Sequence, residues 1–106
     1  VTVELRIQPE AEADLTEAFK WYEDRKLGLG HELLAEVDRS FERIVEAPSR
    51  PRPLYRGTRR AFVRRFPYIV LYVPTAEIVF VLAVMHERRN PRAFQARVLG
   101  FEIPEN

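Results

Sequence analysis

Apolar and polar residues alternate over Val1–Gln8, with Val3, Leu5 and Ile7 on one face and Thr2, Glu4 and Arg6 on the other. A period of two predicts a half-buried strand. Pro9 ends it and suits the first position of a helix, and Glu10 and Glu12 complement the dipole of the first turn. From Ala11 the period changes. Ala11, Leu15, Ala18, Phe19 and Tyr22 form one helical stripe, and Lys26, Gly28 and Gly30 supply its stop signals. Leu33, Leu34, Val37, Phe41, Ile44 and Val45 form a second stripe, closed by Pro48. The short connection predicts an antiparallel helical hairpin, acidic on its outer faces.

The segment Pro48–Pro53 holds three prolines and reads as an extended connector. Three strand-like segments follow: Arg59–Phe66, basic and aromatic, then Tyr68–Val73 and Ile78–His86, both nearly all apolar. Pro74–Glu77 has hairpin length. Two adjacent apolar strands predict a central position with at least one face covered. Asn90-Pro91 starts a last short helix carrying Phe94 and Val98, and Gly100–Asn106 reads as a tail. The expected fold is α+β, in the order β-α-α-β-β-β-α. An N-terminal strand and a helical hairpin precede a three-stranded antiparallel meander and a short C-terminal helix, giving an antiparallel sheet with the hairpin packed on it. Residues 1–99 form one domain and 100–106 its tail. A chain of 106 residues has room for one modest core and not two.

Composition narrows the chemistry. Cysteine is absent, which excludes disulfides, thiolate zinc sites and a cysteine nucleophile and leads us to expect a reducing, cytoplasmic setting. The longest apolar runs, Ile69–Val73 and Ile78–Met85, fall far short of the ~20 residues that span a bilayer. No basic segment followed by an apolar stretch opens the chain, so neither a signal peptide nor a membrane partner is expected. Two separated histidines give no metal-ligand spacing and the four glycines build no phosphate-cradling loop, so no metal and no cofactor is expected.

Charge changes the picture more. The formal net charge is only +1, yet residues 1–47 carry twelve acids against six bases and residues 48–106 eleven bases against four acids. All eleven of those later bases are arginine. Between Arg50 and Arg65 stand Arg50, Arg52, Arg56, Arg59, Arg60, Arg64 and Arg65 with no acid, interleaved with Tyr55, Phe62 and Phe66. Arg88, Arg89, Arg92 and Arg97 form a second group. If both groups meet on one side of the domain, they make a polyanion footprint. Nucleic acid and an acidic protein satisfy that pattern equally well, and the bland reading is a solvated strand and loop.

His86 ends an apolar strand and precedes Glu87-Arg-Arg. A neutral imidazole there suits general acid–base work, with Tyr68 or Tyr72 as second proton carrier and Arg64, Arg65 or Arg89 to stabilise phosphorane charge. The alternative is a histidine that merely orders the loop after the strand. Trp21 has two readings as well, a margin of the helix–sheet contact or an exposed anchor for a partner.

Arg64-Arg-Phe-Pro-Tyr-Ile-Val-Leu-Tyr72, then Ile78-Val-Phe-Val-Leu-Ala-Val84 and His86-Glu-Arg-Arg-Asn-Pro91, resembles the C-terminal pattern of the RelE/ParE superfamily of bacterial toxins. The first strand, Pro9-Glu-Ala-Glu-Ala-Asp-Leu15 and the hairpin fit the same resemblance, which spans about residues 3–98. It implies the growth-inhibiting toxin of a type II toxin–antitoxin, or plasmid stabilisation, module. It also implies a cognate antitoxin whose acidic tail wraps the toxin and through which the complex oligomerises. RelE-like members cut mRNA on the ribosome; ParE-like members act on DNA gyrase. Where the nuclease branch carries an arginine in the third sheet strand this chain has Ile69, and the aromatic nearest the nuclease's C-terminal tyrosine is Phe94, which has no hydroxyl. The ParE-like action is therefore the leading expectation. The ribosome-dependent, metal-independent endoribonuclease is the alternative, and a non-toxic RNA-binding or protein-interaction module a further one. Candidate catalytic residues are His86, Arg89, Arg65 and Tyr68. Arg56, Arg59, Arg60, Arg64, Arg88 and Arg92 are candidates for binding the target or nucleic acid, and Trp21, Arg52 and Phe62 for binding the antitoxin.

Overall fold

The computed structural model describes residues 3–104, so Val1 and Thr2 of the expected first strand and Glu105 and Asn106 of the expected tail lie outside the described residues. The elements run β1 (Glu4–Ile7), α1 (Pro9–Arg25), α2 (Leu29–Glu46), a single 3-10 turn (Tyr55–Gly57), β2 (Arg59–Phe62), β3 (Tyr68–Pro74), β4 (Ile78–His86) and α3 (Pro91–Leu99). This is the expected order. The basic segment expected as a strand over Arg59–Phe66 is shorter, ending at Phe62. The backbone leaves the ladder after Phe62, with Arg65 at φ 71, and Val63 N–H closes the turn onto the Tyr68 carbonyl at 2.9 Å.

The sheet order is β1-β4-β3-β2. β2, β3 and β4 form the antiparallel meander, but β1 pairs parallel to β4, from Glu4 opposite Ile78 to Ile7 opposite Val81. The sheet is therefore mixed rather than antiparallel. Alternation along β1 fixes which face is buried and carries no information about its partner's direction.

The hairpin covers one face. Ala11 and Ala18 of α1 and Leu33, Val37 and Ile44 of α2 pack on Val70, Tyr72, Val79, Val81 and Val84. The helices approach closely at Gly30, where an added Cβ would stand 2.7 Å from the Phe19 carbonyl oxygen. Gly28 makes the turn between them at φ 90. The Glu23 carboxylate reaches across from α1 to accept the N–H groups of Gly28 (2.8 Å) and Gly30 (2.9 Å), donors that the start of α2 would otherwise leave open. Those backbone donors, Gly28 first, hold the Glu23 carboxyl below its ordinary range.

The opposite face is also apolar. Leu71, Val73, Phe80, Leu82 and Met85 pack against Val98 and Phe94 of α3 and against Phe101 beyond it. The expectation of a single core is thus corrected. β3 and β4 are apolar at almost every position, so both of their faces must be covered, and nine helical residues plus Phe101 suffice for the second.

β4 contains a bulge. Tyr72 stands opposite Val81 and Leu71 opposite Ala83, leaving Leu82 as an extra residue. Side-chain parity reverses there: Val79 and Val81 face the hairpin before the bulge, and Val84 faces it afterwards. The reversal turns His86 to the hairpin side, across from Tyr68.

Candidate functional site

β1 accompanies β4 only as far as Val81, whose carbonyl accepts the Gln8 N–H at 2.9 Å. Beyond that point side chains replace the strand. Arg97 of α3 donates to the Leu82 carbonyl (2.8 Å), and Asp14 of α1 accepts the Val84 N–H (3.0 Å). The two also bind each other at 2.7 and 3.1 Å.

Past this bridge a cleft of about 280 Å³ opens between α1 and the end of β4, lined by Trp21, Tyr22, Tyr68, His86 and Arg89 among others. The Tyr68 and His86 rings meet edge to face at 5.6 Å, and Tyr22 stands 6.0 Å from Tyr68. His86 Nδ1 accepts the Arg88 N–H at 3.1 Å, so a neutral ring carries its proton on Nε2. Burial raises the Tyr68 and Tyr22 phenols above their ordinary range and keeps both as hydrogen-bond donors. Trp21 is half exposed at the rim, with the Arg25 guanidinium stacked 3.3 Å from its ring centroid.

Of the expected catalytic set, His86, Tyr68 and Arg89 come together. Arg65 is engaged elsewhere: it donates to Glu32 (2.8 Å) and to the buried Glu36 (3.5 Å), and the Glu32 hydrogen bond raises its pKa further. It ties the loop after β2 to α2.

The arginines do not form one cradle. Arg97 completes β4, and Arg59 donates to the Ser49 (3.1 Å) and Pro51 carbonyls, pinning the proline connector, whose Pro48 carbonyl accepts the Tyr72 hydroxyl (2.8 Å). Arg52, Arg56, Arg60, Arg64, Arg88, Arg89 and Arg92 are exposed and have no carboxylate partner among the described residues. Their placement differs. Arg60 and Arg89 flank a cleft of about 340 Å³ floored by Ile69, Leu71 and Phe94. Arg50 and Arg64 line another, of about 320 Å³, on the side of β2 where α2 ends. Arg56 lies apart, near Phe101 and Glu102. Charge counting cannot distinguish a guanidinium that ties chain segments together from one facing solvent.

Ile69 and Phe94, far apart in sequence, therefore line one cleft with Arg60 and Arg89. His86 and Tyr68 point to the other face of the sheet. The Arg60–Arg89 cleft can hold an anion beside an apolar group, but His86 and Tyr68 supply no proton transfer in it. Trp21 sits in the His86 cleft, whereas Phe62 stands on the β2 edge, so the expected antitoxin-binding residues fall into separate places. Among the described residues no group of three His, Asp or Glu side chains could hold a metal, and no helix is long and apolar enough to cross a membrane.

Neither Asp14 nor Glu23 is singled out by the sequence, and Arg97, grouped there with a polyanion footprint, instead binds Asp14 and the Leu82 carbonyl. Asp14 left a signal, a carboxylate falling between Ala11 and Ala18 on the buried stripe of α1.

The model of the ParE toxin of the type II parDE toxin–antitoxin system matches residues 5–91. The Mycobacterium tuberculosis toxin ParE2 is 36% identical over 103 residues, which cover 94% of this chain and 96% of that one. Among solved structures, the chromosomal ParDE system of P. aeruginosa covers 80% of this chain with a TM-score of 0.71 and 15% identity. The RelBE2 toxin–antitoxin complex of M. tuberculosis covers 81% at 29% identity and a TM-score of 0.57. Free E. coli RelE covers 95% at 15% identity and 0.62, a likeness of fold alone. The family match over most of the chain and a full-length relative agree with the fold: the chain belongs to the ParE toxin family of type II toxin–antitoxin systems.

Proposed function

We propose that this toxin acts as its ParE relatives are understood to act, by binding and poisoning DNA gyrase, and that it cleaves no RNA. The observation that carries this is the cleft between β2 and α3. Ile69, which the resemblance matches to the nuclease branch's strand arginine, and Phe94, the aromatic nearest its C-terminal tyrosine, line one cleft, and the chain's imidazole lies on the far face of the sheet. Metal-free RNA cleavage needs a base for the 2′-hydroxyl and an acid for the leaving oxygen within reach of the same phosphate. The pairing of toxin and antitoxin in the ParDE and RelBE2 structures supports a cognate antitoxin here. Half-exposed Trp21 in the His86 cleft, exposed Arg52 in the proline connector and Phe62 on the β2 edge are its proposed contacts.

The test is supercoiling by purified gyrase with increasing toxin, run beside ribosomes programmed with a defined mRNA. Loss of supercoiling with accumulation of cleaved DNA, and intact mRNA, is the expected result. Toxin-dependent mRNA cleavage that disappears in Arg89→Ala and His86→Ala would overturn the proposal in favour of the RelE-like reading.

A further inference from the structure

Gyrase binding leaves unexplained why residues 47–76 contain no acid while their arginines alternate with exposed rings. The structure gives that run a shape. Phe62 is 56% exposed on edge strand β2 and lines the cleft that holds Arg50 and Arg64. Across the strand pair it stands opposite Ile69, part of the floor of the cleft that holds Arg60 and Arg89. The Arg60 guanidinium lies 5.7 Å from the Phe62 ring centroid, two residues along the same face of the strand, so cation and open ring stand together at the edge. Tyr55, 58% exposed with Arg56 at 5.6 Å, repeats the pairing of ring and guanidinium just before β2. Glu87 is the one carboxylate among the residues lining the two clefts.

We infer that the β2 edge is a binding track for single-stranded nucleic acid, in which Arg50, Arg64, Arg60 and Arg89 hold successive phosphates and Phe62 stacks on a base. Guanidinium forks match phosphate oxygens at two points. Open rings flanked by cations are sequence-tolerant stacking platforms for bases. A duplex keeps its base faces inside the stack and cannot offer one to Phe62, whereas a single strand can bend around a lone edge strand with a cleft on each side. An acidic peptide without aromatic or apolar side chains would satisfy the arginines and leave the rings without a role, and an antitoxin contact at Phe62 would compete with the single strand for this edge. The inference goes beyond the gyrase proposal and requires neither gyrase, ribosome nor strand cleavage.

The experiment is fluorescence anisotropy of a labelled oligothymidylate with the purified chain, alongside a duplex of equal length and polyglutamate as competitor. The single strand should bind more tightly than the duplex and resist polyglutamate. Its affinity should fall with salt at a log–log slope near −3, as four phosphates at about −0.7 each require. Arg60→Ala should flatten that slope by about one phosphate. Phe62→Ala, an exposed change that leaves the core intact, should weaken binding about tenfold and leave the slope unchanged. No anisotropy change at low salt overturns the inference, as does duplex binding as tight as single-strand binding and insensitive to Phe62→Ala. Competition by polyglutamate as effective as by unlabelled oligonucleotide also overturns it and assigns the edge to an acidic protein. Because gyrase is absent from the assay, these outcomes stand apart from success or failure of the gyrase proposal.

Discussion

Arg97 on the last helix grips Asp14 on the first at 2.7 and 3.1 Å, and together they satisfy the two β4 backbone groups that β1 is too short to reach. One mostly buried ion pair thus joins both ends of the domain and closes the sheet edge. The cost of burying two charges is offset because each also bonds to the backbone.

Removing either partner should leave the other charge stranded. Asp14→Ala and Arg97→Ala are each expected to lower unfolding free energy by about 3 kcal/mol, the low end for broken buried pairs because the site is partly open. The double variant should cost little more than the worse single one. Urea unfolding of all four proteins measures the cycle, and strictly additive losses would show that the residues do not act as a pair.

Glu23 should make stability depend on acid pH. Its carboxyl is held below the ordinary carboxylate value by the amides that open α2, so its contribution is present above that value and disappears as pH falls through the lower folded value. Glu23→Gln, which can accept from only part of the site, should lower Tm at neutral pH, and the gap from wild type should narrow as the solution is acidified. A gap that stays constant through the acid range would contradict this.

On the alkaline side, Tyr22, Tyr68 and Tyr72 all have phenols raised by burial above the ordinary phenol value. Neutral phenols in the fold favour folding below that value, and the benefit disappears as pH rises through the folded values. Tm should therefore drop above about pH 10. Tyr68→Phe should make the drop shallower, and an unchanged slope would mean that this phenol does not contribute to it.

Gly30→Ala should splay the hairpin. The added methyl would lie 2.7 Å from the Phe19 carbonyl and 2.8 Å from its ring, and the backbone oxygen cannot move cheaply. A loss of about 1–3 kcal/mol is expected, larger than alanine's gain in helix propensity. Thermal melts decide it, and a stabilised variant would show that the helices have slack there.

Element type was readable wherever one periodicity dominated: the stripe from Ala11 to Tyr22, Pro9 at a helix start, and the apolar runs of β3 and β4. Partner and direction were not. The parallel pairing of β1 with β4 joins residues more than seventy positions apart, and nothing local encodes it. The candidate site divides the same way. His86, Tyr68 and Arg89 were identifiable by type, and they do share a cleft. That Arg59, Arg65 and Arg97 would be used to hold the chain together depended on which carbonyl or carboxylate folding brought within reach.

The surplus residue in β4 has a final consequence. Strand side chains alternate, so the same residues paired as a regular ladder would send the imidazole through to the opposite surface, on the side of Ile69 and Arg60; accommodating the extra residue as a bulge is what keeps it beside Tyr68. Backbone irregularity at this spot, and not only amino-acid identity, then sets which of the two surfaces holds a proton-transfer group. Relatives that lack the bulge while keeping the same chain length here should be compared surface by surface before a shared histidine is taken as a shared role.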